Sequence, residues 1–373
     1  MSSPLGMVRS STAAVTCRHA FEYACVHANG DVVCSITDAR GSYVLGNVYQ
    51  SSLADIFQSA RAEQLRRLMQ STAASFCGAI GRSCPHKNLR PDEAVHDVRL
   101  RYLAIEPSTA CDLRCLACPV RDFSGDVTWR HAYADGGLRF FLWDVARRSK
   151  QHAADRLNHF LPARIRERVP AVLLRGRPAS SRRGTLPLDV VRRIVNEAGP
   201  SVERVDFFNY GEPFLYRHLI DALRHIRAVL PQAKIAISTD AMQVRPDVED
   251  AIIRERLLDW LVFSVDGSDA AAYARYRIRG RFETAYNNMV RFHQKARGSG
   301  INVTWQYVVF RWNDRDDQLR RALLMAAEQE LTIHFDFANT WGLSRRRAAE
   351  LEWLRPHLKP FTAFPGQLRS GGW

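Results

Sequence analysis

Three cysteines in one short run, Cys111, Cys115 and Cys118 in ACDLRCLACP, constrain this chain more than anything else in it. They follow directly on an apolar, strand-like run, RLRYLAIEP over 99–107. Gaps of three and then two residues put three thiols on one tight loop. A structural zinc shell closes with four protein ligands and usually repeats a C-x2-C unit, whereas this run offers three. Three thiolates suit three irons of a 4Fe-4S cube whose fourth iron stays open to an outside ligand, and an open iron is a place for chemistry.

The surroundings narrow the setting. With 373 residues, 46% of them hydrophobic, the chain has material for two or three packed domains. No window approaches the roughly 18 uncharged apolar residues of a membrane-spanning helix. The first sixteen residues, MSSPLGMVRSSTAAVT, lack the apolar core of a secretory signal, so a cytoplasmic chain with reduced thiols is expected. Eight cysteines in such a place read as metal ligands or buried small hydrophobes.

C-x3-C-x2-C after the first strand of a βα unit resembles the radical S-adenosylmethionine (radical SAM) enzymes. The resemblance implies that Cys111, Cys115 and Cys118 hold a 4Fe-4S cluster whose open iron chelates the amino and carboxylate groups of SAM. It further implies reductive cleavage of SAM to a 5′-deoxyadenosyl radical, which abstracts a substrate hydrogen, and a reductant such as flavodoxin or ferredoxin. Ala117 stands where the family often has an aromatic residue before the third cysteine.

The implied fold is α/β, a partial (β/α)6 TIM barrel of the radical SAM type. The sequence supplies the alternation. After the 99–105 strand come β-rich runs at 205–209, 234–239, 260–265, 302–310 and 332–337, making six. Between them lie stretches with helical spacing, such as LPLDVVRRIVNEA (186–198) and LIDALRHIRAVL (219–230). Parallel barrels bind ligands at the carboxyl ends of their strands, so the polar residues there are the candidates. Gly211, Glu212 and Pro213 resemble the family's Gly-Gly-Glu-Pro turn, implied to receive the SAM ammonium, with Tyr210 in place of the first glycine. Ser238, Thr239 and Asp240 are similar to its Ser-Thr-Asn turn, a ribose contact. Ser264, Asp266 and Gly267 are followed by Arg277, implied to take the SAM carboxylate, with Arg275 and Arg279 as close neighbours. Asn313 is a further cofactor candidate, or a structural neighbour of a helix start.

Residues 21–36 read as two alternating strands around Asn29-Gly30, a strong hairpin signal, and counting outward from that turn sets Cys25 opposite Cys34. Together with Cys17, Gly30-Asp31, GNVY, the Leu53–Phe57 helix start and the pair Cys77 and Cys84, this resembles a small α+β SPASM or twitch auxiliary-cluster module. The resemblance implies an auxiliary 4Fe-4S cluster on Cys17, Cys34, Cys77 and Cys84. Four thiolates also suit zinc, and Cys25 exchanging with Cys17 stays open. The expected domains are 1–95 for this module, 96–340 for the barrel and 341–373 for a helix and tail.

Residues 121–183 form a basic insertion with fourteen Lys/Arg against six Asp/Glu, a net +8 of the chain's +14. Phe140, Phe141, Trp143, Leu157, Phe160 and Leu161 are interleaved with the bases, as in a basic amphipathic helix. A helical lid over an anionic or membrane-proximal substrate is expected; no RNA-binding signature accompanies the charge, so nucleic acid is not. The leading expectation is a radical SAM enzyme acting on a peptide or an anionic, glycan-type substrate. The rivals are a non-catalytic iron-sulfur carrier or scaffold and a zinc-stabilised binding module.

Overall fold

The run NVTWQYVV forms a strand, Asn302–Val309, in which every second side chain is buried: Val303, Trp305, Tyr307 and Val309. The residues between them, Thr304, Gln306 and Val308, are half-buried. A strand of strict period two has one face against a core and one face with access to solvent. That pattern recurs across the molecule and defines its two sides. The structure is a computed structural model that describes residues 17, 19–36, 38, 41, 43–69, 97–116, 118, 183–338 and 343–359. Cys77, Cys84 and all of the basic insertion except Arg183 lie outside the described residues.

Among the described residues, nine strands form one sheet in the order β3-β2-β1-β4-β5-β6-β7-β8-β9. They are β1 (Tyr23–Val26), β2 (Asp31–Val33), β3 (Gly46–Asn47), β4 (Tyr102–Ile105), β5 (Arg204–Asp206), β6 (Lys234–Thr239), β7 (Trp260–Ser264), β8 (Asn302–Val309) and β9 (Thr332–Phe337). Strands β4 to β9 are all parallel, and β9 does not pair back onto the first edge, so the barrel is partial. The six strands expected from the sequence are these six.

Helices cross between successive parallel strands and cover the outer face. Two short helices belong to the amino-terminal part, α1 (His19–Glu22) and α2 (Leu53–Gln58), followed by a helical run at 60–69. The crossovers are α3 (Leu188–Ala198), α4 (Leu219–Val229), α5 (Pro246–Arg254), α6 (Ala270–Ala274), α7 (Phe282–Ala296) and α8 (Asp316–Glu328). In α3, Val190, Val191, Ile194, Val195 and Ala198 are buried, the helical stripe that the 186–198 spacing predicts. They join Leu103, Ile105, Val205, Ile235 and Ile237 of the sheet in one continuous core. Each fully buried Val or Ile contributes roughly 1.5–3 kcal/mol, enough for this stripe to orient the helix. Arg204, Asp206, Ser238, Ser264, Gln306, His334 and Asp336 alternate with the core residues and are half-buried on the concave face.

The amino-terminal hairpin is part of this sheet. Strand β1 pairs in parallel with β4, Cys25 beside Ala104, while β2 and β3 follow antiparallel. The hairpin's register corrects the sequence expectation: Cys25 faces Val33, not Cys34. The loop holds three residues, Ala28 to Gly30, closed by His27 N–H to Asp31 O and Gly30 N–H to His27 O, each 2.8 Å. One extra loop residue shifts the pairing by one and sends the next side chain to the other face. Cys25 therefore sits with Tyr23, Val33 and Ala104, whereas Cys17 and Cys34 pack with the main core.

The segment expected to be a carboxyl-terminal helix is 3-10 in form over Ala348–His357, with Pro356 inside it. Proline lacks the N–H that an α-helix interior needs. Residues 360–373 lie outside the described ones. No helix among the described residues is long and apolar enough to cross a membrane.

Candidate functional site

The loop that leaves the carboxyl end of β4 carries the three cysteines of 111–118, and the loops that leave β5, β6 and β7 converge on it. The cysteine loop is held by its own backbone and by a neighbour. Arg114 Nη1 donates to the carbonyls of Cys111 and Leu113, each at 2.8 Å, and Cys118 N–H donates to Cys115 O at 3.1 Å. Across the gap, Arg114 N–H donates to Ile278 O at 3.0 Å and Leu116 N–H to Tyr276 O at 3.3 Å. The loop is thus laced to the segment that carries Arg277.

The β5 turn packs on the approach to Cys111. Gly211 has φ +89°, and a Cβ added there would lie 2.2 Å from Ser108 O. Only glycine fits such a contact at positive φ. Glu212 N–H then donates to Ala110 O at 2.8 Å. The Glu212 side chain, 1% exposed, accepts from Phe214 N–H (3.0 Å), Thr239 Oγ1 (2.8 Å) and Asp240 N–H (2.8 Å). It ties the β5 turn to the β6 turn, with Pro213 opening a 3-10 turn over Pro213–Leu215. Burial and then the Asp240 charge push the Glu212 carboxyl well up, against the donors that favour its anion.

At the carboxyl ends of β6 and β7, Ser238 and Ser264 face one another on the concave side, Oγ to Oγ 3.2 Å, while Thr239 points to Glu212. Asp240 Oδ2 accepts from the Cys111 thiol at 3.7 Å, and Oδ1 accepts from Met242 N–H at 2.9 Å. Ligand atoms of Cys111, Asp112 and Asp240 all lie within 4.8 Å of one another. Asp112 Oδ2 accepts from Gln243 at 2.7 Å, and its buried Oδ1 finds no donor among the described residues. Burial, and next the neighbouring Asp112, push the Asp240 carboxyl up to about 6.

Beyond β7, Asp266 is fully buried and accepts from Val308 N–H (2.8 Å) and Arg277 Nε (2.6 Å). Arg277 Nη1 points on to Cys115 Sγ at 3.7 Å. Of the three neighbouring arginines, Arg277 is the one turned inward; Arg275 lies over Trp312, 5.8 Å from the ring centroid, and Arg279 is exposed. Gly267 is needed because a Cβ there would lie 2.7 Å from Tyr273 N, at the turn that delivers Arg277. Asn313 is fully buried, with Nδ2 on the carbonyls of Asp266 and Val308 and Oδ1 accepting from Phe310 N–H. It clasps the β7 and β8 loops together, and the position just before α8 is held by Arg315, not Asn313.

Burial pushes the Cys115 thiol up to about 12, Arg277 opposing. Burial, Asp240 and Cys115 raise that of Cys111, so a metal taken up here displaces protons from these thiols. Among the amino-terminal cysteines, Cys17 is buried, and Cys34 lies near the phenols of Tyr23 and Tyr43, adding to the burial that raises both.

One central residue escaped the sequence reading. Glu106, fully buried at the end of β4, accepts from Ala28 N–H of the hairpin (2.9 Å) and Tyr210 N–H of the β5 turn (3.1 Å). A carboxylate directly after the apolar run YLAI was the available signal.

Two family models match the chain: the Radical SAM superfamily over residues 105–323 and the iron-sulfur cluster-binding SPASM domain over 17–85. No curated protein matches it in sequence. Similar solved structures include a radical SAM methyltransferase from Sphaerobacter thermophilus, at 17% identity, TM-score 0.36, with 47% of this chain and 56% of that one covered. Methylornithine synthase is similar at 14% identity, TM-score 0.39, with 66% and 56% covered. Native anSMEcpe with bound AdoMet is similar at 14% identity, TM-score 0.39, with 68% and 58% covered. The chain spans between 56% and 58% of the length of these proteins.

Proposed function

This chain belongs to the Radical SAM superfamily and carries an iron-sulfur cluster-binding SPASM domain, and from that premise we propose an enzyme that cleaves SAM reductively at a 4Fe-4S cluster on Cys111, Cys115 and Cys118. The donor set fits the cluster: three thiols on one loop, two of them facing charged partners, Arg277 at Cys115 and Asp240 at Cys111. Three protein ligands leave one iron for SAM. When bound, the pair supplies one-electron cleavage of the sulfonium and abstraction of a substrate hydrogen atom.

The chain's own residues bind, orient and exclude water. The Gly211-Glu212-Pro213 turn and the carboxylate of Asp240, with Asp112 beside it, suit the SAM ammonium, since an anion pair beside the cluster favours a cation. Glu212 acts there through the turn it holds, because its oxygens already accept three hydrogen bonds. Ser238 and Ser264 present hydroxyls to the ribose side, and Thr239, Asp266 and Asn313 hold the loops in register. The auxiliary module over 1–95 would carry a second 4Fe-4S cluster on Cys17, Cys34, Cys77 and Cys84. The barrel over 96–340 works on a peptide or anionic glycan-type substrate, with a flavodoxin or ferredoxin as reductant.

The observation that carries this reading is the convergence of the loops after β5, β6 and β7 on the cysteine run that follows β4. Its test is anaerobic purification, then iron and sulfide analysis of the full chain beside a variant with Cys111, Cys115 and Cys118 changed to Ala. Iron that falls by one cluster in the variant, with a dithionite-reduced signal altered by SAM in the parent, supports the reading. Iron unmoved by SAM points to the carrier or scaffold, and colourless protein holding zinc to the binding module; either outcome rejects it.

A further inference from the structure

We infer that Arg277 is a positioning residue for the cluster, one that sets its reduction potential through the sulfur of Cys115. This deepens the proposed function and rests on it. The sequence resemblance placed this arginine on the SAM carboxylate, but the structure gives its guanidinium two other partners. Nε donates to Asp266 Oδ2 at 2.6 Å and Nη1 points to Cys115 Sγ at 3.7 Å.

The arrangement around it is built to hold that direction. Asp266 is itself fixed by Val308 N–H, and the side chain of Arg277 is 14% exposed. Its guanidinium lies over the Tyr276 ring, 5.3 Å from the centroid. The backbone on either side of it is bonded to the cysteine loop, through Tyr276 O to Leu116 and Ile278 O to Arg114. Cation and thiol therefore move as one unit.

A guanidinium keeps its charge at every working pH. A fixed cation beside a ligand sulfur, in a place with little solvent, stabilises the form of the cluster that carries one more electron. Charge and hydrogen bonds at the sulfurs are the levers by which a protein tunes such a centre. The counter-charge on Asp266 tempers this effect, so the two residues are expected to pull the potential in opposite directions.

The test is a redox titration of the anaerobically reconstituted full chain, following the reduced-cluster resonance that responds to SAM. Arg277→Gln should retain iron and sulfide and titrate at a more negative potential than the parent. Asp266→Asn should titrate at a more positive one. Arg277→Lys, which keeps the charge but loses the fork, should fall between the parent and Arg277→Gln. Should Arg277→Gln hold no cluster, the lysine variant decides, a shifted potential supporting the inference and an unshifted one overturning it. Variants that titrate with the parent while SAM no longer perturbs their resonance would also overturn it, assigning the arginine to SAM alone. A parent chain that takes up no iron fails the proposed function instead, so the two failures are distinct.

Discussion

Replacing Gly211 by Ala tests how tightly the β5 turn is pressed against the cysteine loop. The new Cβ would lie 2.2 Å from Ser108 O, at a residue with φ +89°. An L-residue in that region costs about 1–2 kcal/mol by itself. Relieving the contact needs a retreat of about 1.3 Å, from 2.2 Å to an ordinary approach near 3.5 Å. That retreat stretches the 2.8 Å bond from Glu212 N–H to Ala110 O beyond hydrogen-bonding range, a further ~0.5–1.5 kcal/mol. The expected loss is about 1.5–3.5 kcal/mol of stability in urea denaturation, together with lowered iron content, because Ala110 adjoins Cys111. Gly199→Ala is the matched control: its φ is +79°, and a Cβ there meets nothing within 4 Å. It should cost only the backbone term and leave iron unchanged. If the two variants lose the same stability and both keep their iron, the contact between the β5 turn and the cysteine loop does not matter and this reasoning fails.

Two further consequences follow from carboxylates that collect backbone donors, buried Glu106 and half-buried Asp259. Glu106→Ala leaves the N–H groups of Ala28 and Tyr210 without their acceptor, at about 1–3 kcal/mol for a buried group. Amide exchange at those two positions should accelerate while that of β8 stays slow, and unaltered exchange would contradict the bridging role. Asp259 accepts from Arg227 Nη2 (2.8 Å), Lys234 Nζ (3.0 Å) and Ile235 N–H (2.9 Å). Burial works to raise its carboxyl, but these donors outweigh it and hold it below the ordinary value. A depressed carboxyl stabilises the fold above its unfolded pKa, and that contribution is lost as pH falls through the folded value. Asp259→Asn should therefore cost about 1–2 kcal/mol near neutrality, the gap to the parent closing in acid; a gap constant with pH would refute it.

The barrel was largely legible because its signal is periodic. Val303, Trp305, Tyr307 and Val309 announce their face by spacing alone, and the stripe from Val190 to Ala198 does the same for a helix. The parallel pairing of β1 with β4 was not legible. Four residues, Tyr23–Val26, meet a partner that begins at Tyr102, and no local pattern reports a contact across that separation. The hairpin register turned on one loop residue, and Asn29-Gly30 suits either length. In the site, the cysteines and the Gly211-Glu212-Pro213 turn were readable as motifs. Which arginine among Arg275, Arg277 and Arg279 turns inward was read as Arg277, yet its contacts with Asp266 and Cys115 depend on an irregular turn with no period to extrapolate. Asn313 read equally well as a cofactor contact or a structural residue, and its complete set of backbone partners emerges only once β7 and β8 lie side by side.

Incubating the oxygen-free, reconstituted chain with SAM and dithionite and quantifying 5′-deoxyadenosine tests the three-cysteine cluster most directly. The nucleoside should accumulate with the parent chain and be absent when Cys111, Cys115 and Cys118 are all Ala. Equal amounts from both proteins, or none from a parent chain loaded with iron and sulfide, would contradict it.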